Sequence, residues 1–184
     1  METNHTRTIV VSPIGDISPW MADIVAKEAG GFFGFPSRVE SVLNTIDFAF
    51  NEERNQYHST EILKVLETKI PDDCVKIIAI TKEDLFIPIL THVYGEAQLG
   101  GSACVVSIAR LIEGSEADIG NLGCRRIVKE AIHELGHTFD LRHCEDEICI
   151  MYYCRRLDYV DKKSNQFCRY CSIFLSDNIK DLYG

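Results

Sequence analysis

Lys129 to Met151, KEAIHELGHTFDLRHCEDEICIM, gathers three histidines, two cysteines and six carboxylates into 23 residues. His133 and His137 lie four apart. On a helix that spacing stacks their imidazoles on one face, where a single ion can take both ring nitrogens at about 2.0–2.1 Å. Glu134, beside the first ligand, can offer its carboxylate to an ion-bound water, as the general base and proton shuttle of zinc hydrolysis does. The plain alternative is a helix whose two histidines fall four apart by chance.

His143 tests the metal reading. Were the helix continuous, His143 would lie about 9 Å further along the axis from His137 and about 240° around it. It can join the same ion only if the helix ends near residues 139–140 and the chain turns back. A left-handed residue makes such a turn, with Gly favoured and Asp tolerated at a cost. Asp140 stands at that point.

Five of the eight cysteines, Cys144, Cys149, Cys154, Cys168 and Cys171, crowd the last quarter of the chain. A C-x4-C pair, an eighteen-residue gap and a closing C-x2-C are close to a four-thiolate zinc site. Cys154 repeats the five-residue step from Cys149, so spacing alone leaves open which two of Cys144, Cys149 and Cys154 join. Nearby Arg155, Arg156, Lys162, Lys163 and Arg169 can offset the charge of such a site. A redox pair or reduced thiols are the alternatives. Cys74, Cys104 and Cys124 are scattered singly and read as buried thiols. His143 and Cys144 are consecutive, so a closed thiolate site would pin the backbone that carries the third histidine.

These side chains need a frame. Residues 121–140 read as the securest helix, capped by Asn121, with Ile127, Ala131 and Leu135 as an apolar stripe. Residues 7–14 and 74–81 read as strands, as do 38–43, 92–98 and 102–111, the last two joined at Gly100-Gly101. Residues 18–31 read as a helix capped by Ser18, opened by Pro19 and stopped by a Gly pair; 59–70 as a helix behind a Ser-Thr cap; and 172–184 as a short terminal helix. The pattern is α+β, or mixed α/β: a mixed sheet backed by helices, with a small C-terminal part too poor in apolar residues to fold unaided.

With 184 residues and 46% hydrophobic content, the chain is expected to form one globular domain. A net charge of −9 argues against nucleic acid or an anionic membrane as partner. No apolar run reaches the roughly 18–20 residues of a membrane span. The N-terminal stretch lacks the order of a signal peptide, so a cytoplasmic location is expected.

HELGHTFDLRHCEDEICIM, a sixteen-residue gap and CRYC together resemble the signature of the archaemetzincins, a family of metzincin-like zinc peptidases. The match covers roughly residues 133–171, and the family places Gly where this chain has Asp140. The resemblance implies a metzincin-like fold: a twisted mixed sheet, an active-site helix, and a zinc-stabilised C-terminal subdomain over residues 144–184 beside an upper subdomain of 1–143. It implies two Zn2+ ions. His133, His137 and His143 would hold the catalytic one, with Glu134 as general base, and Cys144, Cys149, Cys168 and Cys171 the structural one. Cys154 is left free. Met151 falls in the Met-turn, the apolar floor beneath the histidines. Tyr153 sits where some other metzincins place a zinc-proximal tyrosine, though aromatic packing explains it equally well.

The expected function is hydrolysis of peptide bonds by a zinc-activated water, on peptide or protein substrates, by a monomer. The competing reading is a two-zinc peptide-binding or latent protein without general peptidase activity. A nucleic-acid-associated zinc protein is a weaker third.

Overall fold

A computed structural model describes residues 7–115 and 121–182. In chain order the elements are β1 (Thr8–Pro13), α1 (Pro19–Phe33), β2 (Ser37–Val39), β3 (Phe50–Asn51), β4 (Gln56–His58) and α2 (Ser59–Glu67). There follow β5 (Cys74–Thr81), β6 (Leu85–Phe86), β7 (Gly95–Ala97), β8 (Ala103–Ser107), α3 (Leu122–Thr138), α4 (Leu157–Lys162) and α5 (Arg169–Asp181).

The main sheet runs β2-β1-β5-β8-β7. Its first four strands are parallel and β7 alone is antiparallel, at the edge. Strand alternation splits the core in two. Ile9, Val11, Ile78, Ile80, Cys104 and Val106 face α1 and α3, while Val10, Ile77, Ala79, Ala103 and Val105 face α2. The apolar stripe Ile127, Ala131 and Leu135 is buried as its spacing requires. A second sheet of three short strands, β3-β4-β6, lies outside the sequence expectation, because strands of two or three residues carry no readable alternation.

Several expectations shift. α1 does not stop at Gly30-Gly31 but ends on Gly34, whose φ of 74° suits a left-handed cap. Gly30 instead serves packing, since a Cβ there would lie 2.9 Å from Ser37 Oγ. Ser18 occupies the cap position without a side-chain capping bond. Nor do Ser59 and Thr60 cap α2: His58 precedes the helix, and both hydroxyls bond the Glu96 carboxylate on β7. The strand read over 38–43 shortens to Ser37–Val39, and the terminal helix starts earlier, at Arg169. Tyr183 and Gly184, the last residues of its expected span, lie outside the described residues. Cys104 and Cys124 are buried as expected, whereas Cys74 is half-buried.

Candidate active site

α3 begins as expected, with the Asn121 side chain accepting from Cys124 N–H at 3.0 Å. Its other end decides the site. The helix finishes at Thr138, and Asp140 takes φ 63°. Leu141 N–H donates to Gly136 O at 3.1 Å and Asp140 N–H to His137 O at 2.9 Å. That pair of bonds is a Schellman turn with Asp in the place Gly usually holds. No hydrogen bond joins the Asp140 carboxylate to an imidazole among the described residues; its contribution is the turn.

The remaining carbonyls at this helix end are also met. Lys76 Nζ, buried under the sheet, donates to Thr138 O at 2.6 Å and to Gly101 O at 2.7 Å. Asn178 on α5 donates to Phe139 O at 2.7 Å, and Gly100 N–H to His137 O at 2.9 Å. The turn that carries His143 back is thereby held from the sheet, from the β7–β8 loop and from the last helix.

His133, His137 and His143 converge, each offering a nitrogen within 4.8 Å of the others. His133 Nδ1 donates to Ile150 O at 2.9 Å and His137 Nδ1 to Leu141 O at 2.6 Å. With Nδ1 protonated, each ring presents an Nε2 lone pair, and those two nitrogens face one another at 3.1 Å. Two bare acceptors at that separation repel unless a cation lies between them, so the donor set fits a metal. Burial lowers the pKa of all three rings, that of His137 to about 4, which keeps them neutral as ligands must be. The His143 ring lies 4.8 Å from that of Tyr153.

Met151 lies fully buried beneath the helix. A Cβ at Gly136 would come within 2.6 Å of its sulfur, so the glycine admits the methionine. Glu134 lies against the edge strand: a Cβ on Gly95 would meet its Cγ at 2.6 Å. Burial, with the Glu130 and Glu96 carboxylates, raises the Glu134 pKa well above the ordinary value, against the opposing pull of Lys163.

Four thiols form the second cluster. Cys144, Cys149, Cys168 and Cys171 come together, and Cys154 stays outside with its Sγ directed at Tyr152 O. Cys144 Sγ to Cys168 Sγ and Cys149 Sγ to Cys171 Sγ each measure 3.7 Å. Sulfurs at about 2.3 Å from a tetrahedral ion stand roughly 3.8 Å apart, so this set also fits zinc. Backbone N–H groups of Cys168 and Cys171 donate to Cys149 Sγ and Cys168 Sγ, as thiolates need.

Four residues were not read from the sequence as belonging to the cleft. Glu130, Arg142 and Arg155 line the same cavity of about 880 Å3 as Glu134 and the histidines. Lys163 is wholly buried behind it, 2.6 Å from Glu130, and so belongs to the active-site wall and not to the thiolates whose charge it was read as offsetting. Glu130, one helical turn before Glu134, shares its face and was findable by spacing; Lys163 comes from 33 residues further on, with no local signal.

The family model described as Peptidase family M54 matches residues 31–177. The archaemetzincin of Methanopyrus kandleri is 39% identical over 134 residues, 73% of this chain and 74% of that protein. That of Methanocaldococcus jannaschii is 35% identical over 175 residues, 92% and 93% of the two chains. The crystal structure of the Methanopyrus kandleri archaemetzincin superposes with a TM-score of 0.85 at 31% identity, covering 97% of this chain and 98% of that one. The Archaeoglobus fulgidus archaemetzincin, crystallised with malonate, gives 0.79 at 31% identity, over 91% and 99%. Three histidines brought together by a helix and the turn that ends it, and a neighbouring cluster of four thiols, are thus found in a chain that belongs to peptidase family M54, the archaemetzincins, which are zinc metallopeptidases.

Proposed function

We propose that His133, His137 and His143 hold the catalytic zinc, that Cys144, Cys149, Cys168 and Cys171 hold a structural one, and that Glu134 is the general base for peptide hydrolysis. The observation that carries this reading is the convergence of three neutral imidazoles in one cavity with a buried carboxylate. An ion held there would supply a Lewis acid for the scissile carbonyl and the attacking water. Glu134 takes the water's proton and returns it to the leaving amine. The Ile150 and Leu141 carbonyls keep His133 and His137 in the ligating tautomer.

The edge strand serves the substrate. Ser107 N–H donates to Tyr94 O, and Gln98 N–H to Ala103 O. By the antiparallel alternation, Gly95 and Ala97 turn their backbone groups away from β8, toward the cavity that they line. An extended peptide can add there as a further strand, its scissile bond beside Glu134.

We read residues 1–184 as one catalytic domain, with 144–184 a metal-dependent subdomain; one core cluster runs from Ile9 to Leu175 and supports this. The protein is read as a cytoplasmic metzincin acting as a monomer, without nucleic-acid or membrane partners. Its charge of −9 supports the last two, and no helix among the described residues is long and apolar enough to cross a membrane.

The test is Glu134→Gln, with elemental analysis beside a peptide-cleavage assay. Hydrolysis is expected to disappear while both zincs stay bound; turnover in that variant overturns the assignment.

A further inference from the structure

The cavity has two unlike walls. Residues 87–99 contribute Ile87, Ile89, Leu90 and Leu99, and their one carboxylate, Glu96, is held by the Ser59 and Thr60 hydroxyls. Arg54 fixes this wall from behind, donating to Leu90 O at 2.7 Å and Thr91 O at 3.1 Å. Of the other carboxylates lining the space, Glu130 faces Lys163 and Glu134 is buried.

The opposite wall, residues 142–155, carries two exposed guanidiniums. Arg142 directly precedes His143. Arg155 lies over the Tyr153 ring at 5.5 Å, and that ring lies against His143. Neither arginine has a carboxylate partner among the described residues, whereas Arg38, Arg110, Arg126 and Arg156 all do.

Two unpaired arginines beside the third histidine stand out in a chain of net charge −9. The overall field repels acidic peptides from a distance. Inside the cleft it is screened over a Debye length of about 8 Å at physiological salt, so adjacent charges decide what binds. A guanidinium fork matches a carboxylate in geometry as well as charge.

On the reading of this cleft as a peptidase site, we infer that Arg142 and Arg155 form an acid-selecting subsite, so that the enzyme cleaves beside an aspartate or glutamate of its substrate. The facing wall holds no lysine or arginine, which leaves acid selection to the arginine side alone.

The test compares internally quenched peptides that differ only in carrying Glu, Gln or Lys at each position flanking the cleaved bond. At one position the zinc-loaded wild type is expected to favour Glu over Gln by about tenfold in kcat/KM, less in 0.5 M salt. In Arg142→Ala/Arg155→Ala the ratio should fall near one, and in Arg142→Glu/Arg155→Glu Lys should become the favoured residue. These are ratios within one protein, so a general loss of activity leaves them readable. A wild type indifferent to charge, or a Glu preference that survives both double variants, overturns the subsite. If zinc-loaded wild type cleaves none of the peptides, the peptidase reading fails. The subsite is then judged by fluorescence anisotropy with the same peptides: tighter binding of Glu over Lys that inverts in the Glu variant supports it, and equal binding refutes it.

Discussion

Gly136→Ala probes the floor of the site. The added methyl would lie 2.6 Å from Met151 Sδ and 3.1 Å from its Cε, where ordinary contact is about 3.5–4.0 Å. Met151 and Ile150 are fully buried, so the methionine has no open space to retreat into. Overpacking of that kind costs about 1–3 kcal/mol. Alanine over glycine inside a helix returns about 1 kcal/mol. The net expectation is a loss of about 0–2 kcal/mol, directed at the segment whose Ile150 carbonyl orients His133. Placing the same change in a Met151→Ala background removes the clash and keeps the helical gain, so there it should stabilise by about 1 kcal/mol. The double-mutant cycle should therefore show coupling of about 1–3 kcal/mol. Urea unfolding of the four proteins at one fixed zinc concentration measures it. If Gly136→Ala stabilises both backgrounds equally, Met151 does not pack against the helix and the account of the floor is wrong.

Three other perturbations bear on separate parts of the site. Gly95→Ala would force Glu134 off the edge strand, so kcat should fall about 100-fold, as for a base displaced by about 1 Å, with zinc content by elemental analysis unchanged; normal turnover would refute the close approach. Asp140→Gly should alter stability by less than about 1 kcal/mol and keep both zincs. Asp140→Val, strained at φ 63°, should cost about 2 kcal/mol and release one zinc at a limiting chelator concentration that leaves wild type loaded. In metal-free protein, burial lowers His137 from 6.5 to about 4 and His133 well below 6.5. Well above pH 6.5 the rings are neutral in both states; as the pH falls through 6.5 only the unfolded chain takes up protons, so stability falls progressively toward pH 4. A thermal midpoint in chelator that is flat from pH 7.5 to 4.5 would show that these rings are not buried.

The histidine cluster was legible because ligand chemistry puts His133 and His137 one turn apart; cysteine spacing marked a thiolate site but left open which two of Cys144, Cys149 and Cys154 join it. The helix that carries the histidines was legible too, from Asn121 and its apolar stripe. Asp140 was readable as a turn, and the structure gives it the positive φ that the turn needs. What stayed hidden depends on partners distant in sequence. Ser59 and Thr60 look like caps until Glu96 arrives from β7, and Lys163 looks like a surface charge until it is buried on Glu130. Gly30 reads as a stop because composition cannot separate a glycine needed for φ from one needed for close packing. The wall at 87–94 has no periodicity, since its shape is set by Arg54 reaching two of its carbonyls.

One feature of the turn constrains how the family can vary in length. Leu141 ends the helix through its N–H and orients His137 through its carbonyl, so the stop signal and a ligand's hydrogen bond are one residue. Inserting a residue before Leu141 would break one bond or the other, and each added helical residue would swing His143 by about 100°. The stretch from His133 to Cys144 is therefore a counted length, closed to insertion and deletion even where its residue types may change, as Asp140 has.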